Sequence, residues 1–263
     1  MRDLHQWGRR ADALEQLDSW LAGGDEAVMD SVLRVRAKDL AAELEAVDLQ
    51  LYRAVRDDIR QGKGANTLLA WAASTPRPGN EESYGPLDTL LAGVLDFDEP
   101  DDVAALDADM VFYQPTPAHH IFDFLARASL SERDVVVDLG SGLGHVALLT
   151  AICTHARCIG IELQPAYVAS ARRCAHALQV RNVQFVEQDV RRADLSQGTV
   201  FYLYTPFTGA ILRTVLSMLK REAGRRAVRL CTLGPCTEMV ANESWLELDG
   251  ACDPKRTTLF RSR

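Results

Sequence analysis

The sequence predicts an α/β fold: a mostly parallel sheet covered by helices on both faces, preceded by an all-helical N-terminal domain. Three observations predict it. From about residue 118, short strand-like runs alternate with helical segments, and a glycine-rich turn follows the first run, the β-branched residues 135–137. Residues 1–72 instead carry apolar side chains at helical spacing. Alternation of strand and helix is typical of βαβ units, whose parallel strands are buried on both faces.

The N-terminal domain is expected to span residues 1–108. Leu14, Leu17 and Leu21 recur at helical spacing until Gly23 and Gly24 end the segment. The expected elements are helices at about 14–21, 25–59 and 87–95, a loop at 74–80, and an acidic connector at 96–102. Two prolines and a glycine in the loop exclude regular pairing there.

The C-terminal domain is expected to span residues 109–263 and to hold seven strands. Five buried strands are predicted at 135–137, 158–163, 183–186, 200–204 and 228–233. Helices are predicted between them at 146–153, 166–178 and 210–220. Residues 245–248 and 257–261 flank a turn-forming stretch and predict a terminal antiparallel hairpin. Five parallel strands closed by such a hairpin predict a Rossmann-like sheet.

Composition and charge narrow the classes of function. No apolar run approaches the length of a membrane span and no signal peptide is visible, so we expect a cytoplasmic protein. The six cysteines follow neither a disulfide nor a zinc pattern, so we expect no metal site. Residues 1–105 carry 11 Lys and Arg against 21 Asp and Glu, a net charge of −10. This bias disfavours nucleic acid as a partner of that region and would attract a basic protein segment.

The strongest candidate for a binding site is Val137-Asp-Leu-Gly-Ser-Gly-Leu-Gly144, at the end of the first predicted strand. Its glycines allow a tight turn and a close approach of the backbone to a ligand. A pyrophosphate would be repelled by Asp138, whereas a ligand with an ammonium group would be attracted. This argues against a nucleotide-dependent oxidoreductase.

Two further strand ends carry acids. Glu162 ends the second strand about 20 residues after the glycine turn, where an acid binds both hydroxyls of a ribose. Gln188, Asp189 and Val190 follow the third strand, and there Asp189 could accept from an adenine amino group while Val190 packs on the ring. Acids at three successive strand ends indicate a nucleoside ligand more specifically than any one of them.

Residues 111–207 resemble class I S-adenosylmethionine-dependent methyltransferases, and most closely the Dot-type (disruptor of telomeric silencing) histone-lysine methyltransferases and related bacterial proteins. The stretch 137–144 repeats the DLGSGxG form found there, and Tyr113-Gln-Pro-Thr116 matches the family's tyrosine and threonine in the loop over the methionine end. The resemblance implies S-adenosyl-L-methionine as the cofactor. The implied cofactor site comprises Tyr113, Thr116, Asp138, Gly140, Ser141, Gly142, Gly144, His145, Glu162, Leu163, Asp189, Val190 and Tyr204.

The segment expected to face the methyl acceptor differs in sequence from the Dot-type family. Tyr204-Thr-Pro-Phe207 follows the fourth strand, where the Dot-type enzymes have a pair of asparagines. Without a paired amide or carboxylate, methylation of a nucleobase is disfavoured. Tyr113 and Tyr204 are the candidate catalytic residues, and with Phe207 they would form an aromatic channel suited to an alkyl-ammonium group through cation–π attraction. We also expect that His119 or His120 could act as a base.

Methyl transfer to a protein lysine is therefore the favoured function, with the N-terminal helices expected to pack over the cofactor opening and select the substrate. Two alternatives stay open. The first is a small-molecule methyltransferase in which the helical domain serves as a lid. The second is a regulatory protein that binds S-adenosylmethionine without turnover, since Tyr204 stands where the family has asparagine.

Overall fold

The computed structural model describes residues 4–23, 31–81, 83–98, 100 and 109–263. Its sheet has seven strands: β1 Val135–Leu139, β2 Arg157–Glu162, β3 Val183–Glu187, β4 Val200–Tyr204, β5 Arg229–Leu233, β6 Leu246–Asp249 and β7 Thr258–Ser262. The strand order is β3-β2-β1-β4-β5-β7-β6. The first five strands are parallel, and β7 pairs antiparallel with both β5 and β6. The predicted Rossmann-like sheet with a C-terminal hairpin is confirmed.

Helices connect and cover the strands. They are α1 Leu4–Gly23, α2 Ser31–Arg60, α3 Gly64–Ser74, α4 Pro86–Leu95, α5 Ala118–Arg127, α6 His145–Cys153, α7 Pro165–Ala177, α8 Gly209–Ala223 and α9 Cys236–Ala241. Helix α9 was not predicted, because six residues are too few to display a helical repeat. Part of the acidic connector and the expected start of the second helix at residues 25–30 lie outside the described residues.

Each face of the sheet has its own hydrophobic core. Alternate residues of a strand point to opposite faces, so Val136 and Tyr202 belong to one core and Val137 and Phe201 to the other. Helices α8 and α9 cover the second face. The first face is covered by α5, α6 and α7, and behind them lie the N-terminal helices.

The N-terminal helices share the first of these cores. Trp71 and Leu90 belong to the same buried cluster as Ile121 and Leu148 of α5 and α6. A polar contact also reaches across, because the Arg60 guanidinium of α2 donates to the carbonyl of Ala177 at the end of α7 (2.9 Å). The core is thus continuous across the expected boundary between residues 108 and 109. No described helix is long and apolar enough to cross a membrane.

Because the core is continuous, the N-terminal helices should be required for the C-terminal part of the chain to fold. We expect a chain that begins at Asp109 to fail to fold, because Ile121, Leu148 and their neighbours would lose the apolar surface they pack against. Circular dichroism in the near ultraviolet and hydrogen exchange would measure the loss. A cooperative thermal transition in the shortened chain, together with full protection of the sheet amides, would contradict the expectation.

Candidate functional site

A cavity of about 660 Å³ opens at the carboxyl ends of β1, β2 and β4. In parallel α/β sheets, ligands bind at this edge and at the point where the strand order reverses, which here is between β1 and β4. Its walls are Met110, Val111, Phe112, Tyr113, Gln114, Pro115, Thr116, Asp138, Gly140, Ser141, His145, Val146, Ile161, Glu162, Leu163, Gln164, Tyr167, Gln188, Asp189, Val190, Tyr204, Thr205, Pro206, Phe207, Thr208 and Pro235.

The glycine turn forms the floor between β1 and α6. The N–H groups of Gly140 and Ser141 donate to the carbonyl of Ile161 (2.8 and 3.0 Å), which ties the turn to β2. Gly142 adopts a left-handed backbone (φ +52°), and a Cβ at this position would collide with the ring of Tyr113. Glycine is therefore required at position 142 both for the turn and for the packing of Tyr113 above it.

Glu162 joins the end of β2 to the glycine turn. One carboxylate oxygen accepts from the N–H of Gly142 (2.8 Å), and the other accepts from the N–H groups of Leu163 and Gln164 (2.8 and 2.9 Å). The oxygen that accepts from Gly142 has one acceptor site left, so the group can still accept a hydrogen bond from a ribose hydroxyl. The side chain borders the cavity, at the place that the sequence predicts for ribose recognition.

Asp138 is buried at the base of the cavity. Burial, with a smaller contribution from the negative charge of Glu162, raises the pKa of Asp138 to about 8. A bound cation would stabilise the ionised form, because an opposite charge offsets the cost of burial. This environment fits the ammonium group of the methionine moiety.

At the end of β3, Val190 begins a short 3₁₀ turn, is buried and borders the cavity. Asp189 also borders it, but its carboxylate pairs with the guanidinium of Arg191 (2.6 Å) and accepts from the N–H of Arg191 (2.9 Å). Arg191 lowers the pKa of Asp189, so this group is ionised at neutral pH. Residues 189 and 190 thus bring an acceptor and an apolar surface to the expected position of adenine.

Residues 110–116 form the roof. On one side the N–H of Val111 donates to the carbonyl of Pro206 (3.3 Å). On the other side the hydroxyl of Tyr113 lies 3.2 Å from Nδ1 of His145, and the Tyr113 ring packs against Tyr167 at 4.8 Å between centroids. Burial raises the pKa of Tyr113 and lowers the pKa of His145 to about 4. Both side chains are therefore neutral at neutral pH, and the hydrogen bond between them holds the roof closed on this side.

The segment after β4 forms the remaining wall. Tyr204 is half-buried and Phe207 is buried, and both border the cavity. Thr205 has a left-handed backbone (φ +36°), which is a strained conformation for a β-branched residue. Its hydroxyl donates to the carbonyl of Leu233 (2.9 Å) and accepts from the N–H of Cys236 (3.2 Å), and these contacts hold the strained turn.

Most residues that the sequence predicts for the site meet in this cavity. Gly142 and Gly144 do not line it. A Cβ at Gly144 would lie 2.5 Å from the ring of Phe185, so this glycine permits packing beneath the floor. His119 and His120 lie elsewhere, with both Nε2 atoms facing the carbonyl of Glu81, which removes them as candidates for a base in the cavity.

The structure also adds residues that the sequence did not single out. Gln164 and Tyr167 enter from the start of α7, and Pro235 enters from the turn after β5. In the sequence, the only feature that marks these three residues is their position shortly after a predicted strand. The expected lid of N-terminal helices is absent from the lining: no described residue before Met110 borders this cavity, and the covering segment is 110–116 itself.

Replacement of Glu162 tests the floor. We expect Glu162→Ala to weaken binding of S-adenosylhomocysteine about a hundredfold in titration calorimetry, since each hydrogen bond to a charged acceptor contributes about 1.5–3 kcal/mol. The matched control is Glu187→Ala, because Glu187 is the in-register neighbour of Glu162 on β3 and lies outside the cavity. Equal affinity in the two variants would exclude Glu162 from the site.

Comparison with known proteins gives one matching family and several similar structures. Residues 136–228 match the family described as a methyltransferase domain. The chain is similar to the solved structure of an RNA methyltransferase from Salinibacter ruber in complex with S-adenosyl-L-homocysteine, with 27% identity over 57% of this chain and 92% of that chain (TM-score 0.46). It is also similar to a precorrin-6y C5,15-methyltransferase from Geobacter metallireducens, with 16% identity over 59% and 92% of the two chains (TM-score 0.45).

A third similar structure is a SAM-dependent methyltransferase from Aquifex aeolicus, with 16% identity over 54% of this chain and 88% of that one (TM-score 0.44). No curated protein matches the sequence. Neither the matched family nor these three structures is described as Dot-type, so the narrower resemblance finds no support in them. Residues 136–228 thus match a methyltransferase domain, and the cofactor expected for such an enzyme is S-adenosylmethionine.

Proposed function

We propose that this chain, an S-adenosylmethionine-dependent methyltransferase, transfers the methyl group to an amine, and that the acceptor is a lysine side chain of another protein. The observation that carries the proposal is the meeting of Tyr113, Tyr204 and Phe207 around one cavity that also contains Asp138. Asp138 lies one residue before the end of β1, and Tyr204 ends the neighbouring strand β4. A methionine ammonium on Asp138 would therefore direct the sulfonium towards these aromatic rings.

The chemistry of this wall favours an alkylamine. The methyl group is already activated by the sulfonium, so the protein has mainly to align the nucleophile, the methyl carbon and the sulfur. Residues 204–208 carry no amide or carboxylate that could form paired hydrogen bonds with a planar base or amide. Aromatic faces instead attract a cationic lysine and leave a dry path to the sulfur. The amine must lose its proton before attack.

The mouth of the cavity favours a macromolecular acceptor. Phe112 is 86% exposed, Val111 is 44% exposed and Leu163 is 38% exposed, and all three border the opening. Exposed apolar groups around an opening are typical of a surface that contacts another protein. The net charge of −10 on residues 1–105 would attract a basic, lysine-containing segment.

Incubation of the full chain with labelled cofactor and a lysate of the source cell, followed by separation of protein, nucleic acid and small metabolites, tests the acceptor class. Label on lysine in the protein fraction is expected. Label confined to small metabolites would favour the small-molecule alternative, and label confined to nucleic acid would contradict the proposal. Bound cofactor with no label anywhere would favour the regulatory alternative.

Tyr204 variants test the aromatic wall. We expect Tyr204→Phe to keep much of the transfer rate, because the ring provides the contact with the amine, and Tyr204→Ala to lose considerably more. Single-turnover rates with saturating cofactor would measure both. A loss of about a hundredfold or more in Tyr204→Phe would instead assign the hydroxyl a role in proton transfer, since general-base catalysis contributes on this scale.

A further inference from the structure

Two neighbouring histidines and a glutamate form a polar cluster away from the cofactor cavity. His119 and His120 begin α5 and are buried, and Glu81 belongs to the loop between α3 and α4. One ligand atom from each of the three residues lies within 4.8 Å of the others. None of the three borders the cofactor cavity. We propose that Glu81, His119 and His120 bind a transition-metal dication of the Zn²⁺ type.

The distances fit a coordination sphere. Nε2 of His119 lies 3.6 Å from a carboxylate oxygen of Glu81, and the Glu81 carbonyl oxygen lies 3.1 Å from Nε2 of His119 and 2.8 Å from Nε2 of His120. Ligands of a tetrahedral zinc ion at 2.0–2.1 Å are separated by about 3.3 Å. Movements of up to about 1.5 Å would bring the three side-chain ligand atoms, now within 4.8 Å of one another, around one ion, with the Glu81 carbonyl or a water molecule as the fourth ligand.

The hydrogen bonding of the two histidines also favours a metal. Both Nε2 atoms face a single carbonyl oxygen, and Nδ1 of His119 is buried without a hydrogen-bond partner. Arg256 approaches only the second carboxylate oxygen of Glu81 (3.5 Å), which leaves the first directed towards His119.

An ion here would fasten the Glu81 loop to the segment that carries the roof. The hydroxyl of Tyr84, three residues after Glu81, donates to the carbonyl of Pro115 (2.8 Å). The carboxylate of Asp88 accepts from the N–H of Ala118 (2.7 Å). Only two residues separate the roof 110–116 from His119 and His120. The ion would thus stabilise the packing of the N-terminal helices beside the cofactor cavity, without taking part in methyl transfer.

Titration of ZnCl₂ into the metal-free full chain tests the site. We expect one ion per chain with micromolar or tighter affinity and a higher melting temperature in the presence of Zn²⁺. Glu81→Gln, His119→Ala and His120→Ala should each weaken binding by at least the ~100-fold that loss of an outer partner alone can cost. His176→Ala, at an exposed histidine, and Cys252→Ser, at an exposed thiol, should bind as the parent does.

Glu81→Gln keeps the proposal testable even where a histidine variant unfolds, since Glu81 is only half-buried. With Co²⁺ in place of Zn²⁺, the parent should give the visible absorption of a tetrahedral nitrogen and oxygen site, and Glu81→Gln should lose it. Absence of binding to the parent, or equal affinity in the Glu81, His119 and His176 variants, would overturn the proposal.

Discussion

Replacement of Asp138 by asparagine should weaken binding of S-adenosylhomocysteine about 10- to 100-fold at pH 8, because a charge-assisted hydrogen bond of about 1.5–3 kcal/mol is lost. The effect should depend on pH. The pKa of Asp138 is about 8 in the free protein, so below this pH the carboxyl must release a proton before it can pair with the ligand's ammonium group.

Affinity of the parent should therefore rise with pH by up to about tenfold per unit until pH 8. Above pH 8 the rise should level off, because the carboxyl of Asp138 is then already ionised in the free protein. Titration calorimetry in buffers of different ionisation enthalpy should detect close to one proton released at pH 6.5. Asp138→Asn should release none, and an unchanged pH profile in this variant would remove Asp138 from the ammonium site.

Thermal stability provides the control for this variant. A raised pKa means that the folded protein binds the proton more tightly than the unfolded chain does. The difference in proton binding at Asp138 therefore lowers the free energy of unfolding as pH rises from about 4 towards 8. An asparagine side chain does not ionise and avoids this cost, so Asp138→Asn should melt at a higher temperature than the parent at pH 8. Weaker binding combined with higher stability cannot be attributed to unfolding.

The sequence predicted the parts of this molecule that local patterns encode. Alternation of strand-like and helical runs located β1 to β5, and acids at the ends of β1, β2 and β3 located Asp138, Glu162 and Asp189 at one edge of the sheet. This works because parallel strands bring their carboxyl ends to a single edge. The hairpin was predicted for a similar reason, since its turn residues lie between two short apolar runs.

Contacts between distant segments were not predicted. The pairing of the His119 and His120 rings with Glu81 depends on how the loop after α3 returns to α5, and no spacing rule encodes it. The shared core of the N-terminal helices is a second example, because Trp71 and Leu148 look like ordinary apolar residues in any helix. The strained Thr205 is a third, since its conformation is held by Leu233 at the end of β5 and by Cys236 at the start of α9.

Gly142 combines a local and a distant requirement, and its replacement should have the largest effect. From the sequence we expect Gly142→Val to abolish cofactor binding because the new side chain fills the cofactor's space. The structure gives a different reason: the first added carbon meets the Tyr113 ring, and the residue does not line the cavity. Tyr113 would be displaced from His145 and Tyr167, and the roof would lose its closure on that side.

Gly142→Val should therefore reduce affinity for S-adenosylhomocysteine by more than a hundredfold, combining backbone strain of about 1–3 kcal/mol with the loss of the roof contacts. Gly62→Val is the matched control, because Gly62 also has a left-handed backbone (φ +74°) but no neighbour that an added Cβ would meet. It should lose stability and keep cofactor affinity.

A double replacement separates the collision from the strain. In Gly142→Ala the added methyl still meets the Tyr113 ring, whereas in Gly142→Ala with Tyr113→Ala the obstacle is gone. If collision is the cause, the two changes should be strongly non-additive, with the double variant binding no more weakly than Tyr113→Ala alone. Additive losses in titration calorimetry would mean that the turn itself, rather than its contact with the roof, requires glycine.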